Sequence, residues 1–367
     1  MSELFTPLEL RGTTVPNRVM VSPMCQYSCE DRDGIATDWH RVHLGSRAVG
    51  RAGLVMTEAT AVEPRGRISP EDLGLWSDDH AAALAPIVDF AHSQGSTIGV
   101  QLAHAGRKAS TRRPWEGHAP LGPEAGGWSV VGPTDEPWPY EDEAPPATER
   151  VDQTGIEGVV DAFRTAAERA RDVGVDVAEV HAAHGYLLHE FLSPVTNRRE
   201  DDYGGDFAGR TRLVREVTAA VREVWPDDRP VFVRISATDW LPERESWTVE
   251  DSVRLSDRLA EVGADLVDVS GGGILPDSRP DYAGPNYQVE YAERIRAETE
   301  ADIAVGAVGG ITTPEQAEAV VANGRADLAI VGREHLRDPY FTVRAAEALD
   351  ATDELQGPPQ YRRAIGF

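Results

Sequence analysis

The sequence predicts an α/β fold: a parallel (β/α)8 TIM barrel forming a single domain over residues 1–367, with a long loop after its third strand. Three observations carry this expectation. Eight short apolar segments alternate with eight helix-like segments along the chain, the pattern that closes into a parallel barrel. Gly95, Gly174, Gly263 and Gly324 each fall just past a helix-like segment and before the next strand, where a left-handed residue is wanted. No G-x-G-x-x-G follows an early strand, which counts against the alternative, an open doubly wound sheet. No internal repeat or domain linker breaks the alternation.

Taken in order, strand one is Val19–Met24, followed by a helix over Trp39–Gly50. Strand two is Leu54–Val62, with a helix over Asp79–Gln94. Strand three is Thr97–His104; the loop and then a helix over Gln153–Val173 follow it. Strand four, Val175–His181, precedes Phe207–Trp225, and strand five, Pro230–Ile235, precedes Val249–Val262. Strands six, seven and eight are Leu266–Ser270, Ile303–Val308 and Leu328–Val331, followed by helices over Val289–Glu298, Pro314–Asn323 and Pro339–Leu349. Thr248 with Asp251 reads as a capping box, and Thr313–Pro314 as a cap before a first-turn proline. The loop, Lys108–Thr148, is rich in Pro, Gly and Trp and has no period. Trp115, Trp128, Trp138 and Tyr140 argue that it is a lid or binding loop rather than a disordered one.

Composition excludes several functions. Thirty-six basic residues against 62 acidic ones leave a net charge of −26, which argues against nucleic acid or an anionic membrane as a partner. Lys108 is the only lysine. So acidic a surface, nearly free of lysine, resembles that of proteins from salt-loving organisms, where salt screens the self-repulsion. The first ten residues carry no leader pattern, and no apolar run approaches the 18 or so residues of a membrane helix, so the expected location is cytoplasmic. Cys25 and Cys29 are the only cysteines. They make no disulfide framework, and no metal site is expected.

The chemistry concentrates at the carboxyl ends of the strands, where such barrels place their active sites. Strand four runs into His181, His184 and Tyr186 within six residues. Two imidazoles there can share a ligand oxygen, and a phenol can deliver a proton. The plainer alternative is a pair of core histidines with a packed tyrosine. Strand one ends in Ser22-Pro23-Met24-Cys25-Gln26-Tyr27, strand two offers Ala59, strand three Gln101 and strand five Arg234. Gly309 and Gly310 follow strand seven, and Gly332 and Arg333 follow strand eight. Bare backbone N–H groups with one guanidinium are the usual place for a phosphate. Gln101 and Arg234 suit a planar cofactor with a phosphate tail, with a structural ion pair as the competing role for Arg234.

These motifs together resemble the old yellow enzymes, FMN-dependent ene-reductases, in their cysteine-containing bacterial NADPH dehydrogenase subclass. The resemblance spans nearly the whole chain and rests on SPMCQYS, EATAV, QLAHAGRKAS, HAAHGYLLHEFLSPVTNRREDDYGG, VRIS, GAVGG, NGRADLAIVGREHLRDP and PPQYRR. It implies tightly bound, non-covalent FMN held by Ser22, Pro23, Met24, Cys25, Ala59, Gln101, Arg234, Gly332 and Arg333, with NADPH or NADH as reductant. It implies that His181 and His184 hold the substrate's carbonyl oxygen and that Tyr186 donates the proton. Tyr27 would line the substrate site, and Cys25 would tune the flavin. Relatives that carry an iron–sulfur cluster need four cysteines, which two cannot supply.

The implied reaction is hydride transfer from flavin N5 to the β-carbon of an activated alkene. The alternatives are a flavin-free phosphate-binding barrel lyase or isomerase, and a flavin-based redox sensor with Cys25 as its switch. The resemblance also implies a homodimer or homotetramer, with Arg363, or else Arg362, reaching a neighbouring subunit's substrate site. The loop after Lys108 is longer than the subclass suggests.

Overall fold

A computed structural model describes residues 2–141, 143–355 and 357–364. Eight parallel strands close a barrel in sequence order. They are Val19–Val21, Leu54–Ala61, Thr97–Ala103, Val177–Ala182, Val231–Ser236, Leu266–Ser270, Ala304–Val308 and Leu328–Val331, each within a few residues of its predicted span. The eighth closes on the first, with Ala329, Ile330 and Val331 opposite Val19, Met20 and Val21. Helices cover the outside, so both faces of every strand are buried. This is why the strands read as apolar runs.

The predicted punctuation is present. Thr248 and Asp251 form a reciprocal capping box, as do Thr313 and Gln316. The glycines ending four helices all have positive φ, from +67° at Gly324 to +93° at Gly263.

Apolar packing falls into distinct layers. One large cluster lies between strands and helices. A second fills the barrel with Met20, Leu54, Met56, Val177, Phe232 and Leu328. Leu8, Leu10 and Val15 join this second cluster from an antiparallel hairpin, Leu8–Leu10 with Thr13–Val15, which closes the amino end of the barrel. The hairpin was not expected, because three-residue strands are too short to show a period.

Two short helices are additions as well. Leu187–Leu192 follows strand four, and Arg333–Arg337 follows strand eight. The loop after strand three carries more structure than its sequence suggests: Val130–Gly132 pairs in parallel with Thr148–Arg150, beside several single turns. Among the described residues, no helix is long and apolar enough to cross a membrane.

Candidate active site

The mouth is shaped by irregularities at the strand ends. Strand two slips register against strand three between Met56 and Ala59, a bulge of the kind that re-aims side chains beside active sites. The Thr57 hydroxyl accepts the Gln101 N–H at 3.2 Å across this break. Strand one ends at Val21, and Ser22 N–H then donates to Val331, holding Ser22-Pro23-Met24 against strand eight.

His181 and His184 converge. His181 is the penultimate residue of strand four, and its Nδ1 accepts the Ala183 N–H. Neutral His181 therefore carries its proton on Nε2. That nitrogen lies 3.4 Å from His184 Nδ1. His184 Nε2 lies 2.7 Å from Ser270 Oγ. A hydroxyl can donate to Nε2, which leaves Nδ1 as the protonated nitrogen of His184. Two ring N–H groups then meet side by side, where one acceptor oxygen could take both. Burial first, then Arg234, holds both imidazoles well below their ordinary range, so they stay neutral donors at pH 7.

The turn that presents them is tightly built. His184 is left-handed, with φ +60°, which costs a non-glycine residue energy and is held by its surroundings. Gly185 has φ +71°, and a Cβ there would lie 2.0 Å from the Gly273 carbonyl oxygen. His189, on the helix Leu187–Leu192, accepts the Gly185 N–H at 2.8 Å and faces the buried Asp239 at 3.0 Å.

Tyr186 is half-buried, edge-on to His181 with ring centroids 5.1 Å apart. With Cys25 and Trp128 it packs against an apolar patch of Tyr27, Ile68, Ala105, Ala109 and Val130. Burial, then Cys25 and Asp72, pushes the Tyr186 phenol above its ordinary value. Burial, then the carboxylates of Asp72 and Glu58, pushes the Cys25 thiol up likewise. Both groups therefore keep their protons at neutral pH. Tyr27, itself left-handed at φ +50°, meets Trp115 of the loop edge-on at 5.8 Å.

Below these groups lies a buried polar set. Gln101 Nε2 donates to Glu179 Oε1 at 2.7 Å, so its amide nitrogen is already engaged. Arg234 Nη1 reaches Ser22 Oγ at 3.2 Å and lies 3.4 Å from Asp268 Oδ2. The ion pair weighed against a ligand role for Arg234 is thus present, and Arg234 faces the mouth as well. Burial and Asp268 push the Glu179 carboxyl up to about 8. Glu179 Oε2, Arg234 Nε and Asp268 Oδ1 make no hydrogen bond to the protein, and Asp268 Oδ2 has only its ion pair with Arg234. Such orphaned buried atoms are costly unless something else meets them.

Next to them a cavity of about 230 Å³ is lined by Met24, Arg234, Ser270, Tyr287, Gly309, Gly310, Gly332 and Arg333. A Cβ on Gly332 would only graze Ser22 and Met24, at 3.7 and 3.9 Å. The cavity joins a fixed cation to bare backbone, which fits a phosphorylated planar group such as FMN. A groove of about 900 Å³ lies elsewhere, lined by residues of the helices Phe207–Val224 and Val249–Glu261 such as Arg215, Arg254 and Asp257. It contains none of the site residues.

Sequence reasoning brought most of this set together and missed part of it. Arg363 is exposed in the turn after Pro359–Tyr361, where Tyr361 packs on Tyr340, and it does not line the cavity. Residues 365–367 lie outside the described residues. Glu179 and Asp268 were not anticipated at the site, and Lys108, at the carboxyl end of strand three, was given no role there. The available signals were an acid inside each of two apolar strands, VAEVHA and LVDVS, and a solitary lysine.

The comparisons with known proteins agree over the chain. The model for the NADH:flavin oxidoreductase / NADH oxidase family matches residues 3–352. A protein named NADPH dehydrogenase from Geobacillus thermodenitrificans (strain NG80-2) is 46% identical over 364 residues, covering 99% of both chains. Among solved structures, morphinone reductase superposes with a TM-score of 0.77 at 27% identity, covering 95% of this chain and 90% of that one. A 2-naphthoyl-CoA reductase complex superposes with a TM-score of 0.83 at 25% identity; 94% of this chain matches 52% of that longer one.

Proposed function

The chain belongs to the NADH:flavin oxidoreductase / NADH oxidase family, and from that premise we propose that it is an FMN-dependent ene-reductase for alkenes conjugated to a carbonyl or nitro group. The observation that carries the reading is the meeting of His181 Nε2 and His184 Nδ1, 3.4 Å apart, beside the Tyr186 phenol. FMN, when bound, would take hydride from NAD(P)H and pass it to the β-carbon of the alkene. Its phosphate suits Gly309, Gly310, Gly332 and Arg333, and its ring suits Ser22, Pro23, Met24, Cys25, Ala59, Gln101 and Arg234.

The chain's own groups supply the rest. The two neutral imidazoles donate to the acceptor oxygen, where charge grows during hydride addition, so they favour the transition state over the ground state. The Tyr186 phenol protonates the α-carbon; its raised pKa keeps the proton in place until a basic carbon arrives. Tyr27 and Trp115 wall the substrate side. Cys25, a neutral half-buried thiol, is proposed to tune the flavin. A flavin-free lyase is disfavoured by the family, and a redox-sensor role by the donor set, which a sensor does not need.

The test is anaerobic reduction of the purified yellow protein by NADPH and by NADH, then reoxidation with enones, maleimides and nitroalkenes. Failure of every alkene to reoxidise it would sink the proposal. Three further readings go with it. The protein is cytoplasmic, which fractionation checks. It needs salt, given −26 with one lysine, so its melting temperature should rise from low to molar KCl. It is a homodimer or homotetramer in which Arg363 or Arg362 reaches a neighbour's site. Truncation after Gln360 should then raise KM without dissociating the oligomer.

A further inference from the structure

We propose that Lys108 is a positioning residue for the proposed reaction: its ammonium clamps the turns after strands four and six together and so holds the His184 imidazole and the Tyr186 ring in place. The inference rests on the ene-reductase reading for its effect on turnover, but not for the clamp itself.

The geometry is specific. Lys108 Nζ donates to the His184 carbonyl at 2.7 Å and to the Gly273 carbonyl at 3.1 Å. These carbonyls belong to two left-handed residues, at φ +60° and +91°. The two turns are in backbone contact: a Cβ on Gly273 would lie 2.7 Å from His184 Cα. Two carbonyl dipoles brought this close need a shared donor. Two ring faces also lie near Nζ, Trp138 at 4.5 Å and Tyr186 at 5.1 Å, which favour a cation. One ammonium thus touches the backbone of His184 and the face of Tyr186.

Arginine is a poor substitute here. Its donors lie in a rigid planar fork, whereas the ammonium is compact and turns its three donors freely. Of 36 basic residues, Lys108 alone is not arginine. The exception stands where a compact cation is required.

Titratable and charged groups near Nζ are Glu190, Arg107, His118, His181, His184 and Tyr186. Burial lowers Lys108 to about 8, with Glu190 opposing and Arg107 assisting. Burial raises Glu190 to about 8, against Arg107 and Lys108. The ammonium is intact at pH 7 and is lost as pH rises through about 8. A clamp made of it should loosen over the same range.

Because the chain has one lysine, labelling with 15N,13C-lysine gives a single side-chain signal in the FMN-loaded protein. That signal should titrate near pH 8 and lose its ring-current shift in Trp138→Leu. A signal with random-coil shift that titrates near 10.5 would overturn the clamp. In rapid mixing, Lys108→Met should slow reoxidation by an enone roughly 10- to 100-fold, the range for a lost hydrogen bond to a charged group. Reoxidation by dioxygen, which needs neither His184 nor Tyr186, should hold its rate.

The wild type should show an alkaline limb near pH 8 in the enone step. That limb should persist in Glu190→Gln and vanish in Lys108→Arg, whose cation does not titrate. A limb that moves with Glu190 and ignores Lys108 would overturn the assignment. A wild type that reduces no alkene would overturn the proposed function, and the lysine signal would still decide the clamp.

Discussion

The two ends of the barrel are built on opposite terms. At the amino end, Leu8, Leu10 and Val15 of the hairpin close over Met20, Leu54 and Phe232. That contact is apolar throughout, and its requirement is volume. At the carboxyl end, Glu179, Arg234 and Asp268 carry buried polar atoms without hydrogen-bond partners, and Tyr27 and His184 hold left-handed backbone. Those features cost stability and persist where surrounding structure fixes them. The contrast is one of chemistry: the amino end is closed by apolar volume, whereas the carboxyl end buries two acids and a guanidinium with unmet hydrogen-bonding atoms.

The comparison breaks first at Tyr186. Tyr186→Phe should slow the alkene half-reaction by about 10²- to 10⁴-fold, the usual worth of a positioned acid, while its melting temperature barely moves. Nitroalkenes should suffer least, since the nitronate can leave and take a proton from water. Equal slowing of flavin reduction and alkene reduction would make Tyr186 a packing residue instead.

The histidines come next. His181→Ala or His184→Ala should cost about 10²- to 10³-fold in the alkene step and weaken the long-wavelength band of a phenol bound over the flavin. Both imidazoles are held well below their ordinary range, so lowering the pH to 6 should not protonate them. The rate of the enone step should therefore stay flat between pH 6 and 7, below the alkaline limb expected near pH 8, and a steep change at pH 6 would contradict the neutral-donor assignment.

A change at the other end should do the reverse. Leu10→Ala should cost about 2 kcal/mol of stability, near the low end for a buried leucine, because Leu10 is at the rim of the core, 9% exposed. The rate of alkene reduction should not change. A kinetic defect without a stability loss would mean that the hairpin talks to the mouth.

What was legible in the sequence follows the same division. The barrel was readable because the strands are short apolar runs and several helix ends carry their own chemistry, such as Gly263 or the Thr313 cap. The hairpin was not, because its strands show three residues each and no alternation. The helix Leu187–Leu192 was hidden for another reason: all six residues are buried, so no amphipathic period marks it. At the site, His181, His184 and Tyr186 stood out by their spacing, with a pair of core histidines as the alternative, and their roles came from the family resemblance. Glu179 and Asp268 were not, because an acid in an apolar strand signals a partner without naming it, and the partners come from other strands. Lys108 was legible as the lone lysine at the end of strand three but not in its role, since nothing local to it shows that its ammonium meets turns 76 and 165 positions away in the chain.

The smallest expected effect is at Cys25, where the two principles of packing and chemistry meet. The thiol packs with Tyr27 and Tyr186 against an apolar patch, as a small hydrophobe would. Burial, Asp72 and Glu58 all hold its pKa above the ordinary value. A neutral thiol is a poor nucleophile, so alkylation by iodoacetamide at pH 8 should be slow. Cys25→Ala should bind FMN and turn over, because the alanine fills most of the site and touches neither the donor pair nor the proton. What should change is the reduction potential of the bound flavin, since a polarisable S–H dipole is exchanged for a methyl group beside it. Potentiometry on the wild type and Cys25→Ala measures that directly. An unchanged potential would leave Cys25 with the packing role alone and move it, functionally, to the barrel's other end.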